Sequence, residues 1–142
     1  MPEHKTLKVR AIAGFGPIVR NGEESHKLYR EVLGIAFDEE TGGYLHTERV
    51  AGAKTFALWP LSQAARSCFG DNVWPEGLGV PQAWLEFEVD DVEEATNILT
   101  GRGYTMLVRN KTEPWGQVVS RLISPEGLLV GVTSTPQPRA AP

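Results

Sequence analysis

Two carboxylates and an indole stand at alternate positions in one run of this sequence. Trp84, Glu86 and Glu88 alternate with apolar residues at 85, 87 and 89. Successive side chains of a β-strand point to opposite faces, so these three share one face if the run is a strand. An unpaired buried carboxylate is costly. The glutamates therefore bind a cationic ligand, pair with Arg121 or lie at a solvated rim, and a buried glutamate with a raised pKa could also act as a general base.

Other reactive residue types are sparse. His46 falls in a predicted strand, and a single histidine is more often a surface or capping residue than a base or a ligand. Cys68 is the only cysteine, which excludes an internal disulfide and a CxxC zinc site, and it is interpreted as a buried or loop thiol. The sequence has no G-x-S-x-G or G-x-G-x-x-G motif, so a hydrolase triad and a dinucleotide loop lack support.

Composition narrows the class of protein. A chain of 142 residues fits one domain, and its 41% hydrophobic and 23% charged residues are typical of a globular protein. The net charge of −4 and the absence of Lys/Arg runs argue against nucleic-acid binding. No stretch approaches the roughly 18 apolar residues of a membrane helix, and the N-terminus lacks a signal-peptide core. We therefore expect a cytoplasmic protein without a membrane partner.

Two segments have the signals of helices. Asn21 can cap the first, which has glutamates in its first turn and ends before Gly34. The second begins at Asp90 or Asp91, and Asp91 with Glu94 has capping-box spacing. Each helix carries an apolar stripe at helical spacing. The stripes are Leu28, Tyr29, Val32 and Leu33 in the first and Val92, Ala95, Ile98 and Leu99 in the second.

Strand-like runs surround each helix in the same order. One run precedes each helix, at 9–19 and 82–89, and three follow it, at 36–39, 44–49 and 53–59 and again at 104–109, 117–124 and 128–133. The chain is thus an α+β domain, residues 1–142, written as two tandem βαβββ modules about 70 residues apart. Module 1 covers about 8–60, a Gly- and Pro-rich linking loop 61–81, module 2 about 82–134 and a frayed tail 135–142. A loop of this length usually serves as a cover or a linker.

Four motifs then resemble one family. The run LYREVLG at 28–34 is similar to the F-Y-x-x-x-L-G signature of the vicinal oxygen chelate, or glyoxalase/bleomycin-resistance, superfamily. In the second module VDD at 89–91 enters the helix, and PWG at 114–116 precedes SPEG at 124–127, which resembles the superfamily's W-G…D-P-x-G hairpin with Ser124 in place of Asp. The resemblance covers roughly residues 8–134. It implies an open, barrel-like mixed sheet with helices outside and a ligand inside.

The resemblance also identifies where a metal would bind. In metal-dependent members each module supplies one His, Gln or Glu ligand from its first strand and one from its last. The corresponding positions here are Gly14, Ala57, Trp84 and Gly131. None of these side chains can ligate a catalytic divalent metal, which needs imidazole, carboxylate or thiolate donors. We therefore predict a branch without metal ligands, holding neither metal nor cofactor.

Strand alternation then predicts the contents of the cavity. If Trp84 faces inward, Trp59 joins it, and Gly14, Gly16, Ala57 and Gly131 leave floor space, which suggests a slot for a flat ligand between the indoles. The alternative is that the indoles fill the volume that the metal would occupy. The predicted ligand-binding residues are Trp84, Glu86, Trp59, Glu88, Arg121, Trp115 and His46.

Two functions remain open. The first is a binding protein similar to the bleomycin-resistance branch, associated with antibiotic resistance, which holds a planar, cationic small molecule without a catalytic metal. The second is a metal-independent isomerase or lyase that uses Glu86 or His46 as a general base. In either case an open sheet leaves edges that need cover, so we expect a homodimer.

Overall fold

In the computed structural model, which describes residues 6–134, the chain forms one eight-stranded mixed sheet. The strands are β1 (Ala11–Val19), β2 (Asp38–Glu40), β3 (Tyr44–Thr47), β4 (Phe56–Pro60), β5 (Ala83–Glu88), β6 (Val108–Thr112), β7 (Val118–Ile123) and β8 (Leu129–Ser134). The helices are α1 (Gly22–His26), which continues as a π-helical segment (Lys27–Val32), α2 (Leu61–Phe69) and α3 (Val92–Gly101), and a 3₁₀ turn spans Thr41–Gly43.

The order of the strands confirms the predicted repeat. It runs β2-β3-β4-β1-β5-β8-β7-β6, so each module contributes four strands in the same internal order. β1 pairs in parallel with β4, β5 pairs in parallel with β8, and the two modules join through the antiparallel pair β1–β5. The first strands of the modules therefore lie at the centre of the sheet. Residues of both modules meet there on one face.

The predicted helix caps are confirmed. The Asn21 side chain accepts a hydrogen bond from the N–H of Glu24 at 3.1 Å, and Asp91 accepts one from Glu94 at 3.0 Å. Each contact satisfies one backbone donor that a helix N-terminus leaves free. Gly34 follows the first helical segment with φ +73°, a left-handed conformation that favours glycine.

The apolar stripe of the first helix is only partly buried. Tyr29 packs near Phe56, with ring centroids 6.0 Å apart, but Leu28, Val32 and Leu33 are 47%, 68% and 57% exposed. The reason is the π-helical segment, marked by the hydrogen bond from Leu33 N–H to the Leu28 carbonyl at 2.9 Å. An i→i+5 turn no longer places residues three and four apart on one face. In α3, where the helix is regular, the stripe residues Val92 and Ala95 are buried.

The segment between the modules is not the structureless loop that its composition predicts. Its first nine residues form α2, which buries Ala64, Ala65 and Cys68 in one apolar cluster with Ala57 and Trp84. This cluster lies on the inward face of the sheet. α3 and the π-helical segment after α1 pack in separate clusters on the opposite face, as the resemblance implies, whereas α2 covers part of the inner one. The predicted tail, residues 135–142, lies outside the described residues.

Two smaller differences remain in the elements. β6 begins at Val108 rather than near residue 104, and β2 is only three residues long. Among the helices of residues 6–134, none is long and apolar enough to span a membrane.

Candidate ligand cavity

A cavity of about 710 Å³ opens on the inner face of the sheet. This is within the usual range for a small-molecule site. Aromatic and charged side chains from both modules line it: Tyr44, Trp59, Trp84, Trp115, Glu40, His46, Glu48, Glu86 and Arg121. The structure thus brings together six of the seven residues predicted from the sequence.

Glu88 is the seventh, and it does not line this cavity. It ends β5 opposite Ala11 in the β1–β5 pair and is half-buried. Strand alternation places Glu88 correctly on the face of Glu86, but the cavity ends before this position. The prediction that Glu88 lines the ligand cavity is therefore corrected.

The two indoles contact each other and do not form a slot. Trp84 is buried, donates from Nε1 to the Ala57 carbonyl at 3.2 Å, and meets Trp59 edge to face with centroids 5.8 Å apart. A Cβ added to Gly14 would lie 2.8 Å from the ring of Trp84. Trp84 therefore fills the space above one expected metal-ligand position, and a flat ligand does not fit between the indoles. This outcome matches the alternative interpretation of the two tryptophans.

The space beside Gly16 and Gly131, which the sequence predicts as open cavity floor, is also occupied by other atoms. A Cβ on Gly16 would collide with the backbone carbonyl of Ala57, and one on Gly131 would approach Cγ of Glu86 to 3.0 Å. The glycines allow close approach of β1 to β4 and of Glu86 to β8, rather than an open floor.

Glu86 and Arg121 form a buried ion pair. Nη2 of Arg121 lies 3.0 Å from Oε2 of Glu86, and Gln117 donates to Oε1 at 3.0 Å. Arg121 also donates to Oγ of Ser67 on α2, and its guanidinium lies 5.0 Å from the ring centroid of Trp59. Of the three arrangements considered for this glutamate, pairing with Arg121 is the one observed. Both of its oxygens are engaged, so it is poorly placed to serve as a base.

His46 is held between two carboxylates on the opposite wall. Nδ1 lies 3.0 Å from Glu48 and Nε2 lies 3.0 Å from Glu40, while the ring stacks on Tyr44 at 5.3 Å between centroids. Burial lowers the pKa of His46, but hydrogen bonds and charges from Glu40 and Glu48 outweigh it, so the pKa is raised above its ordinary value. His46 therefore lies in the cavity wall with 19% of its side chain exposed.

Tyr44 extends this wall. Its hydroxyl has a pKa raised to about 12, first by burial and then by the charges of Glu86, Glu48 and Glu40, so it stays protonated. Tyr44, Glu40 and Glu48 were missed in the sequence. Yet Tyr44 and Glu48 alternate with His46 in the run 44–49 that the sequence predicts as a strand, and the rule applied to Trp84 would have placed all three on one face.

Trp115 lies at the rim of the cavity and is connected by hydrogen bonds to residues at its floor. It is 63% exposed, and its Nε1 donates to Oε1 of Gln117 at 2.7 Å. The amide of Gln117 donates in turn to Glu86 and, at 2.6 Å, to Thr133. Gln117, also missed in the sequence, thus connects an exposed indole to the buried ion pair.

The superfamily's metal site does not fit this chain. Gly14, Ala57, Trp84 and Gly131 offer no donor side chain, and Trp84 and Glu86 fill space beside two of them. Within residues 6–134 one other group, Asp38, His46 and Glu48, holds donor atoms within 4.8 Å of one another. Arg49 already pairs with Asp38 at 3.2 Å, and both nitrogens of His46 meet carboxylates. These contacts are those of an ion-pair network.

Cys68 fits the interpretation made from the sequence. It is buried on α2, and burial raises the pKa of its thiol against the lowering effect of Arg121 and Lys111. A thiol with a raised pKa is a poor nucleophile at neutral pH.

The sequence matches the model of the glyoxalase/bleomycin resistance protein/dioxygenase superfamily over residues 12–132. The chain belongs to this superfamily. A search of curated proteins found no match.

Solved structures share the fold. A superfamily member from Vibrio splendidus 12B01 is 16% identical with a TM-score of 0.56, covering 91% of this chain and 99% of its own. An NAD-dependent benzaldehyde dehydrogenase from Legionella pneumophila is 13% identical with a TM-score of 0.56, covering 86% and 97%. A methylmalonyl-CoA epimerase from Streptomyces coelicolor is 13% identical with a TM-score of 0.55, covering 91% and 99%. At these identities the likeness concerns the fold alone.

Proposed function

We propose that this protein binds a planar, cationic small molecule in the cavity and does so without a catalytic metal. The observation that carries the proposal is the pairing of aromatic walls with excess negative charge in one cavity of about 710 Å³. Cations are attracted to the faces of indole and phenol rings, and neighbouring carboxylates add to that attraction.

The charge balance supports a cation. Three glutamates and one arginine line the cavity, and Arg121 compensates Glu86 alone. Within residues 6–134, the partner that Glu40 and Glu48 share on the cavity side is the imidazole of His46. Their negative charge therefore makes this wall the anchor for a cationic ligand. Glu86, which the sequence also offered as a residue for binding a cation, pairs instead with Arg121 at the floor of the cavity.

The expected affinity is moderate. A cation over an aromatic face contributes about 0.5–1 kcal/mol at exposed sites and about 2 when desolvated. A charge-assisted hydrogen bond adds roughly 1.5–3 kcal/mol. Association costs several kcal/mol, but Gln117 and Arg121 hold the floor in place before a ligand arrives. Together these terms favour micromolar binding.

The test is a tryptophan-fluorescence titration with planar cations and their neutral and anionic isosteres. Glu40→Gln should weaken binding of the cations, because it removes charge from the cavity wall. The matched control is Glu39→Gln, since Glu39 precedes it on the same strand and pairs with Arg30 at 3.2 Å instead of lining the cavity. Preference for anions, or equal loss in both variants, contradicts the proposal.

One observation favours the alternative, a metal-independent isomerase or lyase. His46 lies in the cavity wall, and histidine is the side chain that most often serves as a general base. Ligand-induced thermal stabilisation without turnover would support the binding protein over the enzyme. A homodimer, a cytoplasmic location and a link to antibiotic resistance stay predictions.

A further inference from the structure

The imidazole of His46 indicates what kind of cation the cavity takes. We propose that the ligand's cationic group is planar with two N–H donors, as in an amidinium, guanidinium or imidazolium, and that it replaces the His46 ring between Glu40 and Glu48. This inference rests on the proposed function and specifies its ligand class.

The geometry of the ring carries the argument. Its two nitrogens lie in one plane, each 3.0 Å from an oxygen of a different glutamate, and its face stacks on Tyr44 with an interplanar angle of 20°. A planar group with two N–H donors makes the same three contacts. A tetrahedral or fully alkylated cation cannot donate to both carboxylates and stack on the phenol ring together.

Neutral His46 cannot donate a hydrogen bond to both Glu40 and Glu48. A neutral imidazole has one N–H, so one of its two nitrogens then turns a lone pair toward a carboxylate. A cation with two N–H donors satisfies both glutamates at once. The side chains of Glu40 and Glu48 are 60% and 51% exposed, so a ligand reaches them from solvent.

The groups around the ring fix the sign of the pH dependence. On β3 the neighbour is Tyr44, and Glu48 follows directly after the end of this strand. On β2 the neighbours are Glu40 and Asp38, which lies opposite His46 and pairs with Arg49. On β4 the partner is Ala57, which does not titrate.

Across the cavity, Glu86 and Arg121 balance each other. Protonated His46 therefore holds both glutamates and competes with the ligand at low pH. Binding should strengthen as pH rises through the pKa of His46.

The experiment compares benzamidinium with phenyltrimethylammonium, which has the same charge and ring but no N–H. Isothermal titration at pH 6 and pH 8.5 would be run on the parent, His46→Ala, His46→Gln, Glu40→Gln and Glu39→Gln. We expect benzamidinium to bind the parent about tenfold more tightly than phenyltrimethylammonium, in keeping with one charge-assisted hydrogen bond. Glu40→Gln should abolish this preference, and Glu39→Gln should keep it.

The His46 variants test the replacement itself. Each should bind benzamidinium more tightly than the parent at pH 6 and lose the pH dependence, and the glutamine variant serves if the alanine variant does not fold. Equal affinity of the two cations for the parent would overturn the ligand class while leaving a cation-binding cavity intact. Failure of both cations to bind any variant would overturn the proposed function as well.

Discussion

The carboxylate of Glu86 and the guanidinium of Arg121 meet at 3.0 Å, with side chains 10% and 3% exposed. Both residues lie opposite Gly131 in the sheet, one on β5 and the other on β7. The glycine leaves room for Cγ of Glu86. A buried ion pair thus flanks the position from which metal-dependent relatives are expected to supply a ligand. In this chain the floor of the cavity is held by charge pairing.

Breaking that pair should be costly. Arg121→Met leaves Glu86 buried without its cation, and we expect the free energy of unfolding to fall by about 3–5 kcal/mol. The double variant Glu86→Gln with Arg121→Met removes both charges and should recover part of the loss. Urea denaturation of the parent, both single variants and the double variant gives the coupling energy. Strictly additive losses would show that the pair is not coupled.

Close approach of β1 and β4 should make Gly16 intolerant of a side chain. In Gly16→Ala the added methyl group meets the carbonyl of Ala57, a backbone atom that cannot move aside cheaply. We expect a loss of about 1–3 kcal/mol in the free energy of unfolding, or failure to fold. Gly101→Ala is the control, because nothing lies within 4 Å of the added Cβ. Thermal unfolding measures both, and equal stability of the two variants refutes the close approach.

Stability should depend on pH through His46. Its pKa is raised in the folded state, so its stabilising effect is complete below the ordinary value and is lost as pH rises through the folded value. His46→Gln should therefore cost more stability at pH 6 than at pH 8.5. The difference should stay below about 1 kcal/mol, because both glutamates are largely exposed. A cost independent of pH would mean that the contacts with Glu40 and Glu48 do not involve a charged ring.

The protein should hold no stoichiometric divalent metal at the superfamily's site. The four expected positions carry Gly14, Ala57, Trp84 and Gly131, which lack donors. Elemental analysis of protein purified without chelators measures this directly. About one zinc, nickel, iron or manganese ion per chain would contradict the prediction. In that case Asp38→Asn would identify whether the ion uses the group around His46.

Local signals sufficed to predict the repeat and the helix starts. Asn21 and Asp91 cap helices in the structure because capping depends on the nearest three residues. The π-helical turn and α2 were not predictable in this way. A single widened turn has no composition signal, and Ala64 and Ala65 form a helix in a Gly- and Pro-rich segment because they pack on the sheet.

For the candidate site, the sequence predicted only which residues of one strand share a face, through the alternation of side chains. Parity placed Trp84 and Glu86 on one face, but the edge contact between Trp84 and Trp59 depends on side-chain rotamers that a sequence does not specify. Glu40 lies on β2, and the pairing of β2 with β3 is part of the tertiary structure, which local sequence patterns do not specify. The acidic wall was therefore missed, although His46 was named.

The most direct test of the account is a crystal structure of the protein soaked with benzamidinium at saturating concentration. We predict density for the ligand in the cavity, with its nitrogens within hydrogen-bonding distance of Glu40 and Glu48 and the His46 ring displaced. The ion pair of Glu86 and Arg121 should remain unbroken. A cavity that stays empty, or a ligand bound outside it, would contradict the central claim that this cavity is a site for planar cations.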